Sequence, residues 1–227
     1  MGTLQIISES SEPFSNRIEA GKLLGNELLQ YRGEKAVVLG IPRGGVVVAC
    51  LVADAIEAEM DIVLTHKIGA PANPELAIGA VCEDGTYFVD KKLASYVGAG
   101  EEYIEYEKQR RLEDMAQRVE QCRHVLQKMP LEGRIVIVTD DGVATGATMQ
   151  AALWAVRREN PQKLIAALPI GPDDTIEKLS KDADETICLR APTYFGALSR
   201  FYTHFEQVED EEMLEILGQE SKRRAGV

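Results

Sequence analysis

Basic residues are scarce in this chain. Of its 227 residues, 25 are Lys or Arg against 37 Asp or Glu, a formal net charge of −12. The sequence pI is near 4.8. A surface of that sign argues against nucleic acid or an anionic membrane as partner. Cysteine is sparse too. Cys50, Cys82, Cys122 and Cys188 are scattered with no CxxC, and three of the four lie in apolar runs. They read as small core residues in a reducing cytosol. Long apolar runs are missing: the longest, Val46 to Ala53, is too short to span a bilayer. No basic-then-apolar segment opens the chain, so no signal peptide is expected. Ile6 stands where a myristoylation signal after Met1-Gly2 wants Ser or Thr. These absences set the expectation of a cytoplasmic protein.

Two nucleotide signatures are absent as well. Gly40-Ile41-Pro42-Arg43-Gly44-Gly45 is not followed by the Lys-Ser/Thr of a P-loop. Gly98-Ala99-Gly100 is no dinucleotide fingerprint, because Tyr103 replaces the third Gly and no strand precedes it. What is present is an apolar fraction of 45%, enough for a real core. The length suits one large domain or a domain with an insertion.

The chain is organised around Arg134 to Leu153. Ile135–Val138 is a short β-branched run that reads as a buried parallel strand, and a helix-forming stretch begins at Ala147. Between them stand Asp140, Asp141 and a loop of Gly and Thr. A loop at a helix start presents backbone N–H groups, with the positive end of the helix dipole behind them. It suits a phosphate. The two carboxylates repel that phosphate and suit sugar hydroxyls, or a divalent cation that neutralises a second phosphate group. A sugar with phosphate at one end and a metal-bound diphosphate at the other satisfies both halves. A Gly-rich turn with no ligand explains the pattern less well, since two adjacent acids there lack a packing reason.

This stretch resembles the 5-phosphoribosyl-1-diphosphate (PRPP) motif of the phosphoribosyltransferases. The resemblance rests on strand Ile135–Val138, the pair Asp140-Asp141, and the loop Ala144-Thr145-Gly146-Ala147-Thr148. Gly142 departs from it, standing where many members carry an aliphatic residue, and is expected to loosen the loop.

Along the rest of the chain, residues before Phe14 are polar and expected to be loose. Phe14, Ile18, Leu24, Leu28 and Tyr31 follow helical spacing, with Ser15 or Asn16 as cap and Gly33 as stop. Ala36–Leu39 is a buried strand. It runs into the Gly40–Gly45 turn and then a helix with Val48, Ala49, Val52 and Ile56 on one face. In that turn Gly44 and Gly45 let the backbone approach a ligand and Arg43 can fork onto phosphate oxygens. It resembles the diphosphate-binding loop of the same enzymes. Ligands of an open parallel sheet sit where strand order reverses, so the 36–39 and 135–138 strands are expected side by side there.

Asp61–Thr65 is the next strand, with Lys67 just past its end. Adenine-type phosphoribosyltransferases carry Arg-Lys here; this chain has His66, read as a solvated surface residue, and Lys67. Gly69–Pro74 reads as a mobile loop able to close over a reactive sugar. Ala77–Cys82 and Tyr87–Val89 look like a hairpin. Lys91–Met129 reads as mostly one long charged helix. Leu112, Met115, Val119, Cys122 and Leu126 form its seam, against the chain's own sheet or a second copy. Strand 163–170, helix 173–180 and strand 185–189 follow. Of the seven Tyr and five Phe in the chain, Tyr194, Phe195, Phe201 and Tyr202 cluster after the last strand. They could stack on a planar acceptor or form a lid over the core. Asp210–Leu217 is a final amphipathic helix closed by Gly218, and the tail to Val227 is expected to fray.

The ordering of these motifs resembles a family of bacterial phosphoribosyltransferases over nearly the whole chain. The resemblance implies an α/β, Rossmann-like, mostly parallel sheet flanked by helices, the type I phosphoribosyltransferase fold. A helical and hairpin insertion at about 77–130 and a small C-terminal hood complete one domain over 1–227. It also implies Mg²⁺ and PRPP, and leaves the acceptor open. Asp140 and Asp141 would hold the ribose hydroxyls and the metal and act catalytically. Arg43, Gly44, Gly45 and Lys67 would take the diphosphate, and Ala144, Thr145, Gly146, Ala147 and Thr148 the 5-phosphate. The expected partners are PRPP and a small-molecule acceptor, with a homodimer possible. Two other readings stay open: a PRPP- or nucleotide-sensing regulator without turnover, and a PRPP-using hydrolase or phosphotransferase. The Pro/Gly-rich segment beside Lys67 favours the transferase.

Overall fold

A computed structural model describes residues 2–226 of the chain. In order, its strands are β1 (Thr3–Ser8), β2 (Val37–Gly40), β3 (Glu59–Ile62), β4 (Thr65–Ala70), β5 (Asn73–Cys82), β6 (Tyr87–Val89), β7 (Ile135–Thr139), β8 (Lys163–Ile170) and β9 (Glu185–Arg190). The α-helices are α1 (Arg17–Glu27), α2 (Gly44–Ile56), α3 (Lys91–Tyr96), α4 (Glu101–Val125), α5 (Ala147–Arg157), α6 (Asp173–Leu179) and α7 (Asp210–Ala225).

Six strands form a parallel sheet in the order β1-β9-β8-β7-β2-β3. Strand alternation sorts its side chains onto two faces. Val38, Ile137, Ile165 and Ile187 face one core, with Val48, Val52 and Ile56 of α2, Leu24 of α1 and Leu217 of α7. Val37, Val136, Val138, Leu164 and Leu168 face the other, with Met149, Leu153 and Val156 of α5 and Ile176 of α6. Strands buried on both sides need the continuous apolar runs read above. β4, β5 and β6 form a separate antiparallel sheet. Its apolar side, Ile68, Ile78 and Val81, packs against α3 and the start of α4 in a third core.

β2 and β7 lie side by side, with Gly40 paired to Thr139. From there β3 lies to one side and β8, β9 and β1 to the other, so this is where strand order reverses. The seam of α4 lands on the chain's own cores: Cys122 and Leu126 are buried with Val119 against them in the first, and Leu112 packs on the third.

Several expectations are corrected. Residues 3–8 are a strand: β1 pairs with β9 at the sheet edge, where Leu4 and Ile7 remain exposed, which is why the stretch looked uncommitted. The strand at Asp61 ends at Ile62 and β4 opens in the other sheet. Buried Asp61 fixes that break, accepting from the N–H of Ile62 (2.7 Å) and Met129 (2.8 Å) and from Arg123 (2.7 Å). Gly69–Pro74 is not an open loop: only residues 71–72 are a turn between two strands. It is the tip of the β4–β5 hairpin, with Gly69 opposite Ala77 and Ala70 opposite Asn73, and the Tyr103 hydroxyl donates to the Gly69 carbonyl at 2.8 Å.

The long charged helix is two. Asp90 caps α3 through the N–H groups of Lys92 and Leu93, Gly98 takes φ +74, and Gly100 starts α4. The last helix runs through Gly218 to Ala225. A helical glycine costs about 1 kcal/mol. Tertiary contacts beyond it outweigh that cost: Glu220 accepts from Met60 N–H (2.9 Å), and Arg223 donates to the Ala58 carbonyl (2.6 Å). The frayed tail is therefore helical to Ala225; Val227 itself lies outside the described residues.

Candidate active site

The site is built where β2 and β7 end. The turn after β2, Ile41 to Arg43, carries a cis peptide between Pro42 and Arg43 and leads into α2. The loop after β7, Asp140 to Gly146, leads into α5. The two helices lie on opposite faces of the sheet, and both start at this cleft.

Gly44 and Gly45 fit the acid pair. A Cβ on Gly44 would lie 2.0 Å from Asp141 Oδ2, and one on Gly45 would lie 2.9 Å from Asp140 Oδ1. Any side chain there collides with a carboxylate. The glycines thus serve the approach of the two loops to each other. Asp140 Oδ1 accepts the Asp141 N–H at 2.8 Å. Burial first, then the neighbouring Asp141 charge, pushes the Asp140 carboxyl well above the usual carboxylate range.

Asp141 is 9% exposed and has a cation of its own. Arg17 Nε, at the first residue of α1, donates to its Oδ2 at 2.7 Å. Arg17 is anchored twice more: it donates to the Glu206 carbonyl at 2.8 Å and lies 4.0 Å above the Phe205 ring. The Tyr202 hydroxyl donates to the Asp141 carbonyl at 2.6 Å. Burial, then the Asp141 charge, holds that phenol above its ordinary pKa. Tyr202 stacks on Phe205 at 4.8 Å, and Phe195 on Phe201 at 4.9 Å. The aromatic cluster is therefore mainly a buried brace behind the acid pair. Tyr194, 90% exposed, is its one free ring among the described residues.

The loop beyond the acids is held at its ends. Val143 N–H donates to Ile170 (2.9 Å), and Thr175 Oγ1 donates to the Ala144 carbonyl (3.1 Å). Gly146 sits at φ +74, a conformation that favours glycine, and is the N-cap of α5. Among the described residues no acceptor takes the backbone N–H of Ala144, Thr145, Gly146, Ala147 or Thr148. Ala144, Thr145 and Thr148 are exposed. Gly142 does not loosen the loop. A Cβ there would lie 2.5 Å from Leu198 and 2.7 Å from Ile170, so it is the point where the loop is packed down.

Next to the turn lies a cavity of about 210 Å³, whose walls include Pro42, His66, Lys67, Arg118 and Thr148. Lys67 is within β4 rather than past a strand of the parallel sheet, and its ammonium pairs with Glu75 at 2.9 Å. His66 is half-buried in this wall, which corrects the solvated reading. Burial, then the Arg111 charge, lowers its pKa. Among the described residues no three His, Cys, Asp or Glu side chains converge as a metal cage.

A model of the phosphoribosyl transferase domain matches residues 16–203. The chain belongs to the phosphoribosyl transferase domain family. Its mostly parallel sheet with flanking helices is the type I phosphoribosyltransferase fold. It is similar to the crystal structure of TT1426 from Thermus thermophilus, with 41% identity, a TM-score of 0.87, and coverage of 91% of this chain and 98% of that one. Two Mycobacterium tuberculosis proteins, from strains CDC 1551 / Oshkosh and ATCC 25618 / H37Rv, carry provisional phosphoribosyl transferase names. Each is 38% identical over 204 residues, 90% of this chain and 46% of the relative. The chain thus spans about half the length of the curated relatives it matches. No helix among the described residues is long and apolar enough to cross a membrane.

Within this phosphoribosyl transferase domain, the residues singled out from sequence fall around one cleft: the acid pair, the two glycines, Arg43, Lys67 and the loop 144–148. Sequence reading missed Arg17 and Arg118. Arg17 follows the Asn16 cap of an ordinary helix, and no local pattern marks it.

Proposed function

We propose that the protein is a phosphoribosyltransferase that displaces diphosphate from C1 of PRPP with a ring nitrogen or similar nitrogen acceptor. The observation that carries this reading is the mutual fit of Gly44 and Gly45 against Asp140 and Asp141 where strand order reverses. One cleft then offers carboxylates beside a loop of free amides. Those amides, at the start of α5, would hold the 5-phosphate. Asp140 and Asp141 would hold the ribose hydroxyls and favour the positive charge that gathers on C1 and the ring oxygen. Arg43 and Lys67 would hold the departing diphosphate, whose oxygens take the electron pair of the broken C1–O bond.

Mg²⁺ fits this donor set, because that ion is held by one or two carboxylates plus ligand oxygens and water rather than by a protein cage. Bound beside Asp140 and Asp141, it would neutralise charge on the diphosphate. Asp140, half-buried beside the Asp141 carboxylate and held well above the usual carboxylate range, supports that placement.

One observation favours a second reading. Arg17 neutralises part of the Asp141 charge, which suits a PRPP-sensing protein that binds without turnover. The test is diphosphate release from PRPP and Mg²⁺ across a panel of nucleobases, by wild type and Asp141→Asn. Transfer predicts release by wild type, lowered on the order of 10²-fold in the variant while PRPP still binds. No release with any base would favour the sensor. Equal release by both proteins would remove the acid pair from catalysis.

A further inference from the structure

Asp210, the first residue of α7, stands beside the Arg43 turn. Its Oδ1 lies 3.6 Å from Arg43 Nη1 and 3.9 Å from Arg118 Nη2. That oxygen is shielded from water and accepts no hydrogen bond among the described residues. Two guanidiniums therefore face one carboxylate oxygen at ion-pair range, and neither closes on it. An arginine fork that has found its partner sits at about 2.7–2.9 Å. The arrangement has more donor capacity than Asp210 uses. Arg118 also lines the cavity that contains Pro42, Lys67 and Thr148. Arg43, Lys67 and Arg118 thus gather positive charge in a chain whose net charge is −12.

We propose that Arg43 and Arg118 together form the receptor for the diphosphate end of the ligand, and that Asp210 is the resident anion which the diphosphate displaces. This rests on the phosphoribosyltransferase reading and adds two residues to it. Arg118 comes from α4, so a helix outside the two strand-to-helix loops supplies part of the site. Asp210 acts as a built-in competitor. It holds both guanidiniums at the cleft without a ligand, and it yields because diphosphate has several charges and can satisfy each fork bidentately. The cost is affinity: every diphosphate must first outcompete a tethered carboxylate.

The test is calorimetric titration of the full chain with inorganic diphosphate and, separately, with ribose 5-phosphate. Asp210→Asn keeps the shape and removes the charge. It should tighten diphosphate binding by roughly three- to tenfold, the range expected for relieving two partly exposed ion pairs. Ribose 5-phosphate should bind unchanged. Arg118→Gln should weaken diphosphate about tenfold, again without effect on ribose 5-phosphate. Should Arg118→Gln fail to fold, Asp210→Asn decides alone. If wild type binds both ligands and Asp210→Asn leaves diphosphate affinity unchanged or weaker, the competitor role is overturned while the phosphoribosyltransferase reading stands. If wild type binds neither ligand, that reading falls and this proposal falls with it.

Discussion

Replacing Arg17 by Met tests the internal logic of the site most directly. The substitution keeps a long apolar stem and removes the guanidinium. It deletes the 2.7 Å bond to Asp141, the 2.8 Å bond to the Glu206 carbonyl and the stack over Phe205. A hydrogen bond to a charged group nets about 1.5–3 kcal/mol and a cation–π contact about 0.5–2 kcal/mol. Asp141 would then stand beside Asp140 with no cation. Breaking one side of a buried pair costs about 3–5 kcal/mol. Here the two side chains retain 13% and 12% exposure, so water relieves part of that, and the lower end applies. We expect a loss of about 3 kcal/mol, which in a chain above 200 residues lowers Tm by roughly 6–12 °C.

The assay is urea and thermal unfolding of Arg17→Met, Asp141→Asn and the double variant. If Arg17 acts through the Asp141 charge, the double variant recovers much of the loss, with a coupling of about 2 kcal/mol. A loss under about 1 kcal/mol for Arg17→Met, or additive single effects, would refute the reasoning.

Asp140 behaves oppositely. Its folded pKa is raised, so the folded state keeps the proton that the unfolded chain releases, and stability falls as pH climbs from the ordinary carboxylate value through the raised one. Asp140→Asn should raise Tm at pH 7.5, with the gain fading toward about pH 4; calorimetric melts across that range check it, and no gain at pH 7.5 would sink it. Gly44→Ala should cost about 1–3 kcal/mol and weaken PRPP binding at least about tenfold, because its Cβ would fall 2.0 Å from Asp141 Oδ2. Gly100→Ala, with nothing within 4 Å and φ −75, is the control, and an equal loss in both by denaturation and calorimetry would rule out the collision.

The parallel sheet was legible because its strands are buried on both faces. Val136 to Val138 or Leu164 to Leu168 can only be apolar without break. The placement of β2 beside β7 followed from a general rule about ligands and strand order rather than from any residue. What stayed hidden was tertiary. β1 is an edge strand with no buried residue, only Ile6 packing partly on the core, and it is too short to show a period. The end of β3 depends on Asp61 meeting Arg123 and Met129, partners far along the chain. For the Tyr194, Phe195, Phe201 and Tyr202 cluster the sequence admits both stacking on an acceptor and a lid over the core, and only the contact of Tyr202 with Asp141, beside Phe205 under Arg17, decides for a brace. Arg17 and Arg118 look like solvated helix charges until the fold brings carboxylates to them.

The pairing of Gly40 with Thr139 also has a kinetic side. Roughly a hundred residues must be looped out before the two turns of the cleft can meet, a closure paid in entropy before any contact rewards it. β8 and β9 can assemble on β7 with far shorter closures. Yet the cleft does not exist until β2 docks, because half of it hangs on each strand. Ligand binding during refolding is therefore a clock for this one docking step, and a PRPP-competent fraction should rise only once β2 has joined β7.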